Sequence, residues 1–242
     1  MKIDKTKITI ETYDSIVKEY IEFYKDNIDK SIYSFQKETE YLVSKLNKNA
    51  KILDVGTAIG ECPRFLTEKC NKNFKVIGID TSKNMLDKAR DFAPKAQFMQ
   101  MDMRDLQFES NTFDAIICFA ALIHINDEDC KKVLEKFHQV LKPNGLIAIN
   151  VMEHIDKEKE IFVKEPFNPK YMTYYNRYSK NFFINFFNDN NYTIDKIFEN
   201  DIYKEAEVGD DLSGTKEFTI IAKKNRPQMK KWLTVFTIIW YI

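Results

Sequence analysis

The sequence ILDVGTAIG at residues 52–60 is the clearest indication of how this chain folds. A short, mostly apolar run ends there in a turn with glycines at positions 56 and 60. Glycine is scarce, with 6 residues in 242, whereas average usage is roughly 7%. Each glycine therefore marks a position where a side chain is hard to place. The pattern predicts a buried strand, a tight turn and then a helix.

The same alternation continues along the chain. Further apolar runs end near polar residues, and amphipathic segments with capping residues separate them, at Ser82, at Asn126 or Asp127 and at Ser179. Alternating strands and helices, with strands that are apolar almost throughout, predict a parallel sheet with helices on both faces. The predicted strands are 52–55, 76–80, 97–101, 114–120, 146–151, 192–198 and 217–222.

Four regions are predicted from these patterns. A helical cap covers residues 1–48, with helical periodicity from residue 10 to 47. The central α/β domain covers 49–224 and carries an inserted, aromatic-rich lid at 152–178. The remaining residues, 225–242, form an apolar tail of unknown role. Its apolar stretch of 11 residues, 232–242, is shorter than the roughly 20 that a bilayer span needs.

Charge and cysteine content limit the partners. Lys+Arg and Asp+Glu are 37 each, so the formal net charge is zero, and the basic excess typical of nucleic-acid binding is missing. The four cysteines form no CxxC pair. The first residues lack the apolar core of a signal peptide. We expect a cytoplasmic protein that acts on a small molecule, not on nucleic acid or a membrane, without a metal site. The oligomeric state stays open.

Three acids follow three successive predicted strands: Asp54, Asp80 and Asp102. Open parallel sheets bind ligands at this edge. A dinucleotide would require G-x-G-x-x-G, but positions 58 and 61 are Ala58 and Glu61. The Glu61 and Asp54 carboxylates would also repel a pyrophosphate.

S-adenosylmethionine suits the same acids better, because it carries a sulfonium and an ammonium instead of phosphates. An acid at the first strand end suits the ammonium, and one at the second can bridge the ribose hydroxyls. An acid at the third can accept from the adenine amino group. The sequence thus favours S-adenosylmethionine as the cofactor and leaves a nicotinamide dinucleotide as the alternative.

Five segments, in order, resemble the motifs of class I S-adenosylmethionine-dependent methyltransferases of the small-molecule type. They are ILDVGTAIG at 52–60, VIGID at 76–80 with Ser82, Met85, Leu86 and Ala89, MDM at 101–103, FDAI at 113–116 and VLKPNG at 140–145. The resemblance implies a three-layer α/β sandwich around a seven-stranded, mostly parallel, Rossmann-like sheet whose last strand is antiparallel.

Two positions depart from the family pattern. Ala58 replaces the middle glycine of the first motif, and its methyl group is acceptable if φ is negative. Asn144 replaces a glycine in the turn before the fifth strand, and asparagine tolerates a left-handed backbone.

The resemblance also implies a set of site residues. Met85 and Met103 are expected to line the adenine, and the helix carrying Tyr13 and Tyr20 on one face is expected to fold over the cofactor. The predicted cofactor-binding residues are Tyr20, Asp54, Gly56, Thr57, Ala58, Gly60, Asp80, Thr81, Met85, Asp102, Met103 and Phe119.

His124 follows the fourth strand and is the predicted catalytic residue, as a general base. Weaker candidates for the substrate side are Glu153, His154, Tyr171, Tyr174, Tyr175 and Tyr178. A structural role for each is the alternative.

The predicted function is methyl transfer from S-adenosylmethionine to a small-molecule acceptor by in-line displacement. Two alternatives remain: a methyltransferase-like binding module without turnover, and an NAD-dependent oxidoreductase. The loop after the fourth strand carries no Pro-Pro pair of the nucleic-acid amino-methylating type, and no Pro-Cys occurs in the chain. Both observations favour a small acceptor over DNA or RNA.

Overall fold

A computed structural model describes residues 4–29, 33–154, 158–201, 212 and 215–227. The side chains of residues 25–29, 200 and 201 are outside that description. The apolar stretch 232–242 also lies outside the described residues. Within the described ranges, no helix has both the length and the apolar character that crossing a membrane requires.

The N-terminal region consists of three helices where the sequence predicts helix from residue 10. They are α1 (Lys5–Ser15), α2 (Val17–Asp29) and α3 (Gln36–Ser44). The Asp4 side chain caps α1, whose buried face is a stripe of threonines instead of apolar residues. A search for apolar periodicity therefore misses the beginning of this helix.

The central sheet has seven strands, in the order β3-β2-β1-β4-β5-β9-β8. The first five strands run parallel, while β9 runs against both of its neighbours. The predicted fold class and the reversed last strand are confirmed. The strands of this sheet are β1 (Lys51–Val55), β2 (Lys75–Asp80), β3 (Gln97–Gln100), β4 (Phe113–Phe119), β5 (Leu141–Met152), β8 (Tyr192–Asp201) and β9 (Lys216–Lys224).

Helices cover both faces of the sheet because its strands send successive side chains to opposite sides. Ile52 packs with α3 and α4, whereas Leu53 packs with α6 and α7. Strands β1 and β4 are buried on both faces of the sheet, which explains their nearly continuous apolar sequences. The helices that follow α3 are α4 (Glu61–Glu68), α5 (Lys83–Phe92), α6 (Asp127–Val140) and α7 (Lys180–Asp189).

Side-chain caps fix where three of these helices begin. Ser82 accepts from the Met85 N–H, Asn126 from the Asp129 N–H, and Ser179 from the Phe182 N–H. Each cap satisfies a backbone donor that the first helical turn leaves without a partner. All three caps are predicted from the sequence.

Between β5 and α7 the chain forms a two-stranded antiparallel hairpin, β6 (Glu160–Lys164) and β7 (Met172–Asn176). This hairpin occupies part of the predicted insertion at 152–178. It packs against α1: the Thr9 hydroxyl accepts from the Tyr174 N–H at 3.1 Å, and the Thr12 hydroxyl donates to the Met172 carbonyl at 2.8 Å. The threonine stripe of α1 therefore binds the backbone of the hairpin.

Candidate functional site

A cavity of about 480 Å³ opens at the carboxyl ends of β1, β2 and β4. The chain order reverses between β1 and β4, so this is the switch point at which open α/β sheets bind ligands. Helices α1 and α2 and the turn of the β6–β7 hairpin supply the outer wall. The position agrees with the sequence prediction.

The turn after β1 forms the floor of the cavity. Gly56 has a φ of +71°, and a Cβ there would lie 2.4 Å from the Cβ of Ala121 in the loop after β4. Gly60 has a φ of +84°, and a Cβ there would approach Phe98 and Ala89 at 3.1 and 3.2 Å. Both glycines are therefore required by the backbone and by protein neighbours, independently of any ligand.

Ala58 stands between these glycines with a φ of +45°. The expectation that its methyl group is accommodated at negative φ is wrong. Its N–H donates to Oδ2 of Asp80 at 2.9 Å. This bond holds the alanine in the left-handed region, which is unfavourable for a residue with a Cβ. Asn144, by contrast, has the left-handed φ of +65° that its residue type predicts.

Asp54 ends β1 with its side chain almost fully buried. No described residue hydrogen-bonds its Oδ2 atom or the nearby Oγ1 of Thr57. Burial raises the pKa of Asp54 to about 6. The nearby Thr57 and Cys62 side chains lower that pKa in part, but no cation among the described residues compensates the buried carboxylate, and a cationic ligand group would do so.

Gly78 makes room for Thr57 in the turn that follows the neighbouring strand β1. It pairs with Asp54 in the β1–β2 register. A Cβ at this position would lie 2.7 Å from Oγ1 of Thr57 and 2.8 Å from the ring of Phe98. The scarce glycine of β2 thus allows the threonine hydroxyl to stand at the floor of the cavity.

Asp80 ends β2 and organises the backbone around it. Its Oδ2 accepts from the Ala58 N–H and its Oδ1 from the Ser82 N–H, each at 2.9 Å. Burial raises the pKa of this carboxyl group, and the backbone donors lower it in part. Asp80 lines the cavity while it joins the β1–α4 turn to the beginning of α5.

Asp102 follows β3 and is already paired. Both of its oxygens accept from the Arg104 guanidinium, the shortest contact being 2.7 Å from Nη2 to Oδ2. The carboxylate lines the cavity. An adenine amino group would have to share it with Arg104, an arrangement that spacing along the sequence does not reveal.

The structure brings almost all predicted site residues to one cavity. Gly60 is the exception, since it faces protein instead of the cavity. The cavity-lining members of the predicted set are Tyr20, Asp54, Gly56, Thr57, Ala58, Asp80, Thr81, Met85, Asp102, Met103, Phe119 and His124.

Tyr13 and Tyr20 lie on different helices. Helix α1 ends at Ser15, and α2 begins at Val17 after the non-helical residue Ile16. The prediction that the two tyrosines share one helix face is therefore wrong. Both nevertheless line the cavity. The break lets the N-terminal region bend around the cavity opening. Asp14 anchors this bend by accepting from the Ser82 hydroxyl at 2.7 Å.

His124 lies in the loop after β4, in contact with the rings of Tyr13 and Tyr175 at centroid distances of 5.3 and 5.0 Å. Its Nδ1 lies 2.9 Å from the Tyr174 carbonyl oxygen. Because a carbonyl can only accept, Nδ1 carries the proton and Nε2 keeps its lone pair. Burial lowers the pKa of His124 to about 4, so the imidazole is neutral at physiological pH.

Of the weaker candidates, Tyr175 alone is among the described residues that line the cavity. Glu153 forms an ion pair with Lys180 at 3.0 Å. The Tyr178 hydroxyl donates to the carbonyls of Leu122 and Ile125, which holds the loop after β4. The candidates that lie away from the cavity are Glu153, His154, Tyr171, Tyr174 and Tyr178.

Several lining residues are missed by the sequence reasoning. Glu61 is considered there only as an obstacle to a pyrophosphate, although its carboxylate lines the cavity. Long-range packing brings in the others, and apolar or aromatic spacing alone does not indicate them. They include Thr6, Thr9, Phe23, Tyr24, Phe167 and Glu217.

Comparison with known proteins finds a methyltransferase match for part of the chain. Residues 52–145, less than half of the chain, match the family model described as a methyltransferase domain. The chain is 29% identical over 129 residues to phosphoethanolamine N-methyltransferase of Plasmodium falciparum, covering 50% of this chain and 48% of that protein. It is 30% identical over 131 residues to methyltransferase GfsG of Streptomyces halstedii, covering 51% and 46%.

The fold has solved counterparts. The crystal structure of an S-adenosylmethionine-dependent methyltransferase from Methanosarcina mazei superposes with a TM-score of 0.66 at 18% identity, covering 77% of this chain and 98% of that one. Together with the sheet order, these matches show a methyltransferase domain at residues 52–145 and the fold of S-adenosylmethionine-dependent methyltransferases. The predicted family and its cofactor, S-adenosylmethionine, are confirmed at this level. The chain spans about half the length of the two curated relatives.

Proposed function

We propose that this protein is an enzyme that transfers a methyl group from S-adenosylmethionine to a small-molecule acceptor by in-line displacement. The observation that carries the proposal is the buried Asp54 carboxylate, whose Oδ2 lacks a partner among the described residues at the floor of the cavity. A buried charge of this kind requires a ligand cation. The family's cofactor carries one.

The residues of the cavity fit this cofactor. Asp54 would hold the ammonium group, and the unpartnered hydroxyl of Thr57 would donate to the carboxylate of the methionine part. Asp80 would accept from the ribose hydroxyls with the lone pairs that its two backbone bonds leave free. Met85 and Met103 would line the adenine.

When bound, S-adenosylmethionine supplies a methyl carbon that its sulfonium activates for nucleophilic attack. The protein must then align the acceptor and exclude water. The rings of Tyr13 and Tyr175 contact His124 in the wall of the cavity. We assign to the Nε2 atom of this neutral imidazole the role of general base for an acceptor that loses a proton.

A small acceptor is favoured by how the cavity is closed. Residues 1–48 act in this proposal as a cap, and residues 152–178 as a lid, over the domain at 49–224. Thr6 of α1 donates to the His124 carbonyl at 3.1 Å, and Glu19 of α2 accepts from Asn168 of the hairpin turn at 2.8 Å. The first bond joins the cap to the loop after β4 and the second joins the cap to the lid, so the enclosed cavity has space for a small molecule rather than a nucleic-acid strand.

Isothermal titration with S-adenosylhomocysteine, followed by an acceptor screen with labelled S-adenosylmethionine, tests the proposal. We expect one cofactor-product site per chain and methyl transfer to a small molecule. The Asp54→Asn variant should bind S-adenosylhomocysteine at least about tenfold more weakly, since a hydrogen bond to a charged group contributes on this scale. Unchanged affinity would refute the assignment of Asp54. Tight binding without transfer across a broad panel would favour a non-catalytic binding module instead.

A further inference from the structure

The charge of the cavity is unbalanced. Five carboxylates line it, from Asp54, Glu61, Asp80, Asp102 and Glu217, and the described lining residues include no lysine or arginine. The single histidine of the lining, His124, is neutral because burial lowers its pKa to about 4. Any ligand that fills the cavity therefore meets a negative field.

Two of these acids have partners that offset their charge. Asp80 accepts from two backbone N–H groups, and Asp102 pairs with Arg104. Asp54 and Glu61 have no lysine or arginine side chain as an ion-pair partner among the described residues. Burial and the neighbouring charge of Asp54 raise the pKa of Glu61 to about 7. The two acids therefore lie close enough to repel each other.

The net charge of the cofactor can balance one of these two acids, Asp54 or Glu61, but not both. S-adenosylmethionine carries two positive groups and one carboxylate, so it brings one net positive charge. That charge balances Asp54 and leaves Glu61 without a counter-charge. A second cation beside Glu61 would stabilise the charged form of its carboxyl group when the site is full.

Aromatic rings complete the surroundings of Glu61. Tyr20, Phe23 and Tyr24 of α2 pack around Phe167 of the hairpin turn, with centroid distances of 5.2, 4.9 and 5.7 Å. All four rings line the cavity. Glu61 lines the same cavity as these rings, and its charge adds to burial in raising the pKa of Tyr24 to about 12. Ring faces attract cations, most strongly where water is excluded.

On the basis of the proposed function, we propose that the acceptor is an amine that binds as its ammonium ion between Glu61 and the ring cluster Tyr20, Phe23, Tyr24 and Phe167. An acceptor with a phosphate or carboxylate group close to the reacting nitrogen is disfavoured by the same field. The ammonium ion first loses a proton, which frees the nitrogen lone pair. That lone pair then forms the N–C bond as the S–C bond breaks, and the electron pair of the S–C bond stays on sulfur. The proton that the nitrogen loses goes to Nε2 of His124 and then to solvent.

The test compares ligands that differ in charge but not in shape, with the protein saturated by S-adenosylhomocysteine. Choline is the cationic probe, and its quaternary nitrogen cannot be methylated, so titration calorimetry measures binding alone. Its neutral counterpart is 3,3-dimethylbutan-1-ol, and phosphocholine adds the anionic group. We expect choline to bind at least about tenfold more tightly than the alcohol, as for a desolvated cation on aromatic rings. Phosphocholine should bind more weakly than choline.

The Glu61→Gln variant keeps the shape of the side chain and removes its charge. It should reduce the preference for choline over the alcohol to less than about threefold, while affinity for S-adenosylhomocysteine changes by less than about threefold. The matched control is Glu68→Gln, an exposed position on the same helix that pairs with Arg64. It should leave both affinities unchanged.

Several results would overturn the amine proposal: no measurable choline binding, equal affinity for choline and the alcohol, tighter binding of phosphocholine, or an unchanged preference in Glu61→Gln. These failures differ from a failure of the proposed function. In that case S-adenosylhomocysteine itself would not bind. Melting temperatures of each variant identify any loss of fold.

Discussion

The backbone N–H of Ala58 donates to Oδ2 of Asp80 at 2.9 Å, which joins the turn after β1 to the end of β2. The bond holds a residue with a Cβ at a φ of +45°. The same carboxylate is the proposed ribose ligand. The geometry of the cofactor turn and the placement of a ligand group therefore depend on one side chain.

Ala58→Gly should stabilise the protein or leave it unchanged. Alanine in the left-handed region costs roughly 1–2 kcal/mol, while glycine adds roughly 0.5–1 kcal/mol of entropy to the unfolded chain. We expect a net change in the free energy of unfolding between 0 and about +1 kcal/mol by denaturant titration. The control is Ala89→Gly, inside α5, which should lose about 1 kcal/mol or more. Equal losses in the two variants would contradict the strained turn.

Asp80→Ala should weaken S-adenosylhomocysteine binding by more than about tenfold, since it removes the ribose ligand and an acceptor for the Ala58 N–H. Asp80→Asn keeps one acceptor oxygen, so it separates the two roles. It should retain the melting temperature better than Asp80→Ala but still lose affinity. The control Asp87→Ala changes an exposed acid on α5. If Asp80→Asn binds like the unaltered protein, Asp80 is not the ribose ligand.

The contribution of Asp54 and Glu61 to the free energy of unfolding of the ligand-free protein should fall as pH rises from about 4 to 7. The pKa values of Asp54 and Glu61 are raised to about 6 and about 7 in the folded protein. A carboxyl group with a raised pKa binds more protons in the folded than in the unfolded state. Stability is therefore lost as pH rises between the unfolded and folded pKa values.

Thermal melts at pH 5 and pH 7.5 measure this dependence. Glu61→Gln should be the more stable protein at pH 7.5 by about 2 °C or more, with a smaller difference at pH 5. Glu68→Gln should follow the unaltered protein at both pH values. An identical pH dependence in Glu61→Gln would show that this carboxyl group titrates normally.

His124→Asn should lower kcat by about 100-fold or more, the usual scale of general base catalysis. Asparagine can still donate to the Tyr174 carbonyl, as Nδ1 does, but lacks the lone pair of Nε2. Affinity for S-adenosylhomocysteine should change little. His138→Asn is the control, because His138 is not among the cavity-lining residues. A loss of cofactor-product affinity in His124→Asn that matches the loss in kcat would point to a structural role.

The sequence predicts the sheet and the strand-end acids well because both depend on local patterns. Strands buried on both faces require continuous apolar runs. Ser82, Asn126 and Ser179 are typical N-cap residues and indicate where their helices begin. Asp54 and Asp80 follow from chain order alone, since parallel strands end at one edge.

Features that depend on long-range packing are not predictable in this way. The buried threonine stripe of α1 is explained by the β6–β7 hairpin, whose bonded residues lie 160 and 165 positions away along the chain. The pairing of Asp102 with Arg104 competes with a ligand at a position where the residue type alone suggests a free acid. The role of Glu61 depends on how α2 and Phe167 enclose it.

The most direct test of the central claim is calorimetric titration of the unaltered protein with S-adenosylhomocysteine, S-adenosylmethionine and NAD. We expect one site per chain for both sulfur ligands and no measurable heat from NAD. The affinity for S-adenosylhomocysteine should increase as pH rises through about 6, because Asp54 ionises there. Binding of NAD without binding of either sulfur ligand would contradict the central claim.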